Sequence, residues 1–336
     1  GQDGANNPST ISANGFVVIG DDSVGRLTVT GGGRFELTGT GLFDIGGTTN
    51  GEGFATVTGA GSIIDVGGAV RVGRSSSGNL TIVDGGTVSN AGDGIVARDN
   101  SAGPSTVTVG STTADESTWN NAGSLYLGGD EFGSGGTATV QINPGGTISA
   151  ADVVKIWSGT TTLAGGTLSM ETLEIVQLGE LQFNTGTIRF TGDKSLDAGA
   201  LADVFGSEVG ATLHADQRLE IVGAATLSSP LRLNHATAAL SVGSVADLAN
   251  LDWDAGALSV TAQEVAVESA GLFDNGLIVG EDQALHVPNN SLTVGPSASS
   301  NVIRGLLSTG SAVNNGLTIL AEAAGVDFDA HSDGIG

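Results

Sequence analysis

Asp21 and Asp22 follow Gly20 directly and set two carboxylates side by side. Hydrolysis of a glycosidic bond takes carboxylates that face each other across the scissile bond. Here the pair closes a short apolar run, a place where Asp and Gly recur simply because they make turns. The turn reading takes precedence. Arg71 and Arg74, with Arg34 expected one rung away, are the cations that could neutralise a uronate during an elimination. No His, Tyr or Lys joins them as the base. Alternation between Val70 and Val72 turns Arg71 outward, so a solvated stripe is expected. His214, His235, His286 and His331 all lie outside the most regular part of the chain.

Asp130-Glu131, Glu281-Asp282, Asp252 with Asp254, and Asp327 with Asp329 are the acidic groupings open to calcium. Calcium takes about six to eight oxygens around one point. No Asp recurs at a fixed place after Gly-rich triplets, so solvated acidic turns are expected. Thr28, Thr56, Thr81, Thr108 and Thr139 read as one outward column, half of what an ice-binding plane needs. The positions two residues on, Thr30, Thr58, Val83, Gly110 and Gln141, do not repeat it. Threonine is also a good strand former in its own right. Trp119, Trp157 and Trp253 occupy different strand positions, which suits core or corner packing better than a shared sugar platform. Asn79-Leu80-Thr81 and Asn289-Asn290-Ser291 match the glycosylation acceptor pattern, the first at the start of an expected strand. The residues alone therefore point to no catalytic, cofactor-binding or metal site.

Charge and composition narrow the classes further. The 336 residues carry 36 acidic and 11 basic side chains, a formal net charge of −25. Nucleic-acid binding and anionic membrane surfaces both need clustered Lys and Arg, so neither partner is expected. No apolar run reaches the ~18 residues that a membrane-spanning helix requires. Without cysteine there is no disulfide and no thiolate metal site. Glycine is abundant, at 56 residues, but has no three-residue period and few prolines beside it, which excludes collagen. The chain begins at Gly1 without Met and shows no signal peptide, and is read as a processed or excerpted mature segment.

Repeats say what must position these residues. An apolar–x–apolar–Gly strand recurs as Val17-Val18-Ile19-Gly20, Phe43-Asp44-Ile45-Gly46, Val70-Arg71-Val72-Gly73 and Leu125-Tyr126-Leu127-Gly128. Less regular copies are Ile95-Val96-Ala97, Val154-Lys155-Ile156 and Leu173-Glu174-Ile175. Anchored on Ile19, Ile45, Val72, Ala97, Leu127, Ile156 and Ile175, the steps are 26, 27, 25, 30, 29 and 19 residues. A second strand follows, as in Leu27-Thr28-Val29, Ala55-Thr56-Val57 and Leu80-Thr81-Ile82. A third enters through glycine pairs, as in Gly85-Gly86-Thr87-Val88 and Gly145-Gly146-Thr147-Ile148. The fourth copy replaces those glycines with Ser111–Ser117 and sets Trp119 in the apolar slot. Such strands bury their inner faces only by stacking rung on rung. The long inserts, 48–53, 99–104 and 129–136, fall between first and second strands.

The expected fold is all-β: a right-handed parallel β-helix, or β-solenoid, with three short strands per rung. The expected organisation is an N-terminal extension over 1–14 and a regular β-helix over 15–192. An irregular insertion or junction over 193–214 follows, containing a short helical turn or a lateral loop. Residues 215–320 then continue the solenoid with shorter, looser rungs, or form a second β region such as a sandwich. A tail over 321–336 ends the chain.

Gly78-Asn79-Leu80-Thr81-Ile82-Val83-Asp84-Gly85-Gly86-Thr87-Val88-Ser89 resembles the repeats of bacterial autotransporter passengers. It is similar also to the β-solenoid ectodomains of PEP-CTERM-type surface proteins. The resemblance covers most of 15–190 and, loosely, 215–320. It implies an extracellular or cell-surface location and a structural or adhesive role. Neither an aromatic-girdled translocator barrel nor a Pro-Glu-Pro sorting tail follows in this sequence. Gly20-Asp21-Asp22 resembles one piece of the pectinase-type hydrolases, whose Asn-Thr-Asp, Gly-His-Gly and Arg-Ile-Lys pieces this chain lacks. Three functions stay open: a structural, self-assembling filament subunit without catalysis, an adhesin or glycan-binding protein, and a polysaccharide-active enzyme. The first is expected, with further copies of the chain joined head to tail as partners and surface glycans as the other partner class.

Overall fold

The computed structural model describes residues 8–48, 50–100, 103–206 and 211–261, and beyond them 265–266, 278–279, 282–287, 292–294, 301–303, 306–309, 317–319 and 326–328. The fold is a parallel β-helix. Two compact units make up the chain, Gly1–Thr187 and Ile188–Gly336.

In the first unit, three parallel sheets stack rung on rung. The first sheet holds Val17–Ile19, Phe43–Ile45, Val70–Val72, Gly94–Val96 and Leu125–Leu127. The second holds Val24–Thr30, Glu52–Thr58, Ser77–Val83, Ser105–Gly110 and Ala138–Ile142. The third holds Thr10–Asn14, Arg34–Thr38, Ile63–Val66, Thr87–Asn90, Ser117–Asn121 and Gly146–Ala150. The single strand Val153–Met170 then supplies all three faces of the next rung, pairing in turn with Leu125–Leu127, Ala138–Ile142 and Gly146–Ala150. Rungs of this kind stand roughly 4.8 Å apart, with their hydrogen bonds along the stacking axis.

Most strands of the regular rungs alternate, as in Glu52–Thr58, Ile63–Val66, Val70–Val72 and Ser77–Val83, which gives aliphatic interior columns. In the first sheet Ile45, Val72, Val96, Leu127 and Ile156 are in register and fully buried. Val96, not Ala97, belongs to that column. Ala97 instead takes the corner that Gly20, Gly46, Gly73 and Gly128 fill in other rungs, with φ 54 against their 74 to 85. It makes the same bond, its N–H donating to Val72 O at 2.8 Å as Gly73 N–H does to Ile45 O at 2.7 Å. Ile175, expected in the same column, is only half-buried, while Leu173 is buried. In the third sheet Phe35, Ile64, Val88, Trp119, Ile148 and Leu168 form one buried column. Trp119 does sit in the apolar slot, its Nε1–H donating to Asn90 Oδ1 at 2.9 Å. Three buried serines at the corners accept from the backbone: Ser62 from Gly32 N–H, Ser105 from Gly78 N–H and Ser117 from Gly85 N–H.

One register differs from the expected one. Val107 lies opposite Val140 and Val109 opposite Ile142, so Thr139 stands beside Thr106 and not beside Thr108. A slip of two residues keeps every side chain on its own face, so alternation alone cannot choose between the two alignments.

The second unit is also parallel in every named pairing among the described residues, which excludes the antiparallel sandwich there. Leu240, Leu258, Leu285 and Leu307 follow one another in register, in steps of 18, 27 and 22 residues. The one helix among the described residues, Ala198–Phe205, lies where the sequence loses its repeat. Asp197 caps it by accepting from Ala200 N–H, and Leu201 and Val204 are its buried side chains.

Candidate functional site

The outward side of the first sheet carries the densest chemistry. In register along it stand Val18, Asp44, Arg71, Ile95, Tyr126 and Lys155. Asp44 is fully buried. Arg71 grips it through both oxygens, Nε to Oδ1 at 2.5 Å and a terminal nitrogen to Oδ2 at 2.9 Å. Arg74 reaches Oδ2 at 3.3 Å, and the Arg71 guanidinium sits 5.8 Å from the Phe16 ring. The solvated Arg71–Arg74 stripe expected from alternation is thus a closed ion cluster. Alternation gives the direction of a side chain, not what the neighbouring rung supplies. Arg34 is no part of it: it belongs to the third sheet and bonds Asp65 Oδ2 at 2.8 Å, beside Glu36. With both carboxylate oxygens of Asp44 taken up by guanidinium groups, the cluster holds a charge-paired bracket between rungs.

Further along this side the connection 128–136 folds into a miniature hairpin, with Gly129 and Ser134 bridged antiparallel. Asp130 is its anchor. The Asp130 carboxylate accepts from Phe132 N–H at 3.0 Å and lies 3.3 Å from Arg98 Nε, and its carbonyl accepts from Trp157 Nε1–H at 2.8 Å. The acidic pair Asp130-Glu131 is therefore divided, one residue building the turn and the other exposed. Lys155 places its ammonium 4.4 Å from the Trp157 ring centroid and 2.9 Å from Glu174 Oε2.

The remaining candidates are scattered. Asp21 and Asp22 are both exposed at a corner, where Asp22 Oδ1 accepts from Thr48 Oγ1 at 2.9 Å. Asp252 and Asp254 flank Arg232, whose pKa is raised chiefly by its hydrogen bond to Asp254 and then by that carboxylate's charge. His214 and His235 are exposed, and His286 is half-buried. Glu281, Asp329, His331 and Asn289-Asn290-Ser291 fall outside the described residues, as does the side chain of Asp327. Among the described residues no three His, Asp or Glu side chains converge on a metal position. Trp119 is core, Trp157 packs on the 128–136 loop, and Trp253 Nε1–H donates to Gly256 O at 3.1 Å. Asn79 accepts from Thr106 Oγ1 at 2.5 Å within the second sheet.

The true register changes the threonine face as well. Asn79, Thr106, Thr139 and Thr160 form one column, and Thr81, Thr108, Gln141 and Thr162 the next. Asn79 and Gln141 interrupt them, and the Thr106 hydroxyl is spent on Asn79. These contacts belong to the side-chain ladders that steady parallel strands.

No protein-family model, no curated protein and no solved structure matches the chain at a significant level.

Proposed function

We propose that this protein is a structural β-solenoid of a bacterial cell surface or extracellular fibre, a self-associating subunit rather than an enzyme. The observation that supports this reading is the first rung. Three of its large apolar side chains, Ile11, Phe16 and Val24, are 62, 51 and 58% exposed. Val17 and Ile19 are half-exposed there, whereas their counterparts one rung on, Phe43 and Ile45, are wholly buried. Among the described residues the named pairings of Thr10–Asn14, Val17–Ile19 and Val24–Thr30 all run to the second rung. Among the described residues nothing pairs with the outer side of this edge, and an edge of this kind is a template for another strand. The surface that matches it in spacing, direction and apolar columns is another parallel rung, which a second copy of this chain carries. Head-to-tail contact through unlike ends builds an open filament unless a rotation closes it.

Light scattering and electron microscopy across a salt series test the reading. With −25 charges per chain, copies repel at low ionic strength and salt screens them. The expected result is a mass that grows with salt and protein concentration, with fibres in the micrographs, and suppression of both by Ile11→Lys with Val24→Lys. A chain that stays at 33.0 kDa under every condition would overturn it.

A further inference from the structure

We infer that the 128–136 loop, together with Trp157 and Tyr126, binds a neutral glycan chain.

Phe132 is the starting point. It is 85% exposed, more than any other large apolar side chain among the described residues. This loop is held in place: Asp130 N–H donates to Gly133 O at 3.0 Å, Gly135 N–H to Gly128 O at 2.7 Å, and Gly136 N–H to Ala97 O at 2.9 Å. Asp130 adds its bonds to Phe132, Arg98 and Trp157. The tip thus presents an aromatic ring whose backbone is already ordered, so binding costs little further entropy. The Trp157 indole, half-buried, lies against the loop's base, and half-buried Tyr126 stands one rung before Lys155 on the same face.

Rigid aromatic faces suit the C–H faces of sugar rings, and polar groups around them orient the hydroxyls. Glu131, exposed at the tip, and Glu174, beside Lys155, are acceptors for such hydroxyls. The charge selects a neutral sugar. A chain of net charge −25 repels polyanions, and the one lysine here is already paired with Glu174. Size argues against a protein partner. A stable protein interface buries about 800 Å² on each side, whereas this loop offers a single largely exposed large apolar side chain, Phe132. The inference is independent of end-to-end association, because the first rung and this loop are separate surfaces of the first unit.

The test is calorimetry and tryptophan fluorescence on the full chain, titrated with cellohexaose, laminarihexaose, mannohexaose and chitohexaose, and with polygalacturonate as the polyanion. The expected result is saturable binding of at least one neutral hexasaccharide, with a change in tryptophan emission. Phe132→Ala is expected to weaken it by about tenfold or more, as loss of an anchoring aromatic does, with circular dichroism and melting temperature unchanged. Trp157→Phe, which keeps a ring but loses the bond to Asp130, is expected to weaken binding as well. Any of three results would overturn the inference: no binding of any of the four hexasaccharides, unchanged affinity in Phe132→Ala, or tighter binding of polygalacturonate. End-to-end association in Phe132→Ala is expected to stay as in the parent chain, so the two readings fail separately.

Discussion

The Asp44 carboxylate is wholly buried and held through both oxygens by Arg71, its register neighbour one rung on. Removing one member of a buried pair strands the other, at a cost of about 3 kcal/mol. Asp44→Ala is therefore expected to lower stability by roughly that amount in urea unfolding. Arg71 is 11% exposed, so it cannot simply turn into water. Asp44→Leu with Arg71→Leu is expected to recover more than half of the loss, because an apolar pair often replaces a buried ion pair at little cost. A cost below about 0.5 kcal/mol for Asp44→Ala, the usual range for a surface site, would mean that the cluster is solvated after all.

Two glycines separate backbone strain from crowding. Gly31 has φ 62 and nothing within 4 Å of a Cβ placed on it, whereas Gly46 has φ 85 and its Cβ would meet Ser77 O at 2.3 Å. Gly31→Ala is expected to cost about 1 kcal/mol, the left-handed penalty alone. Gly46→Ala is expected to cost at least about twice that, since the strand opposite must shift. Chemical denaturation of the two variants side by side checks the order.

Val72 lies in the middle of the buried first-sheet column. Val72→Asp is expected to cost about 3–5 kcal/mol by burying an unpaired polar group among aliphatic neighbours. A broadened or lost cooperative transition in circular dichroism is the corresponding sign.

Trp119 combines a buried ring with one hydrogen bond, to Asn90 Oδ1. Trp119→Phe is expected to cost about 2–3 kcal/mol, from the volume lost and from the buried acceptor left unpaired. Adding Asn90→Leu to that variant is expected to recover part of the loss, which a thermodynamic cycle reads directly.

Much of this fold is written in the sequence because its signals are local. Val-x-Val followed by Gly fixes a strand, its inward face and a left-handed corner, and Phe43–Ile45 and Val70–Val72 stand where that pattern puts them. Ile95-Val96-Ala97 breaks the pattern by being apolar throughout, so the corner residue reads as core. The Thr108 and Thr139 misalignment has a different origin: a period of two is blind to a two-residue slip, and only the loop ahead of each strand decides it. The Asp44–Arg71 pair had a visible signal, opposite charges at the same position of consecutive repeats. The hairpin under Phe132 had none beyond its glycines, since its order comes from Trp157 and Arg98, distant in sequence.

The named ladders of the first unit are all parallel, with their hydrogen bonds along one axis. A pull along that axis meets one rung's bonds at a time and opens the stack like a zip. A pull along the strands must shear many bonds at once. The same unit is therefore compliant in one direction and stiff in the other, and the direction of a load decides which of the two it encounters.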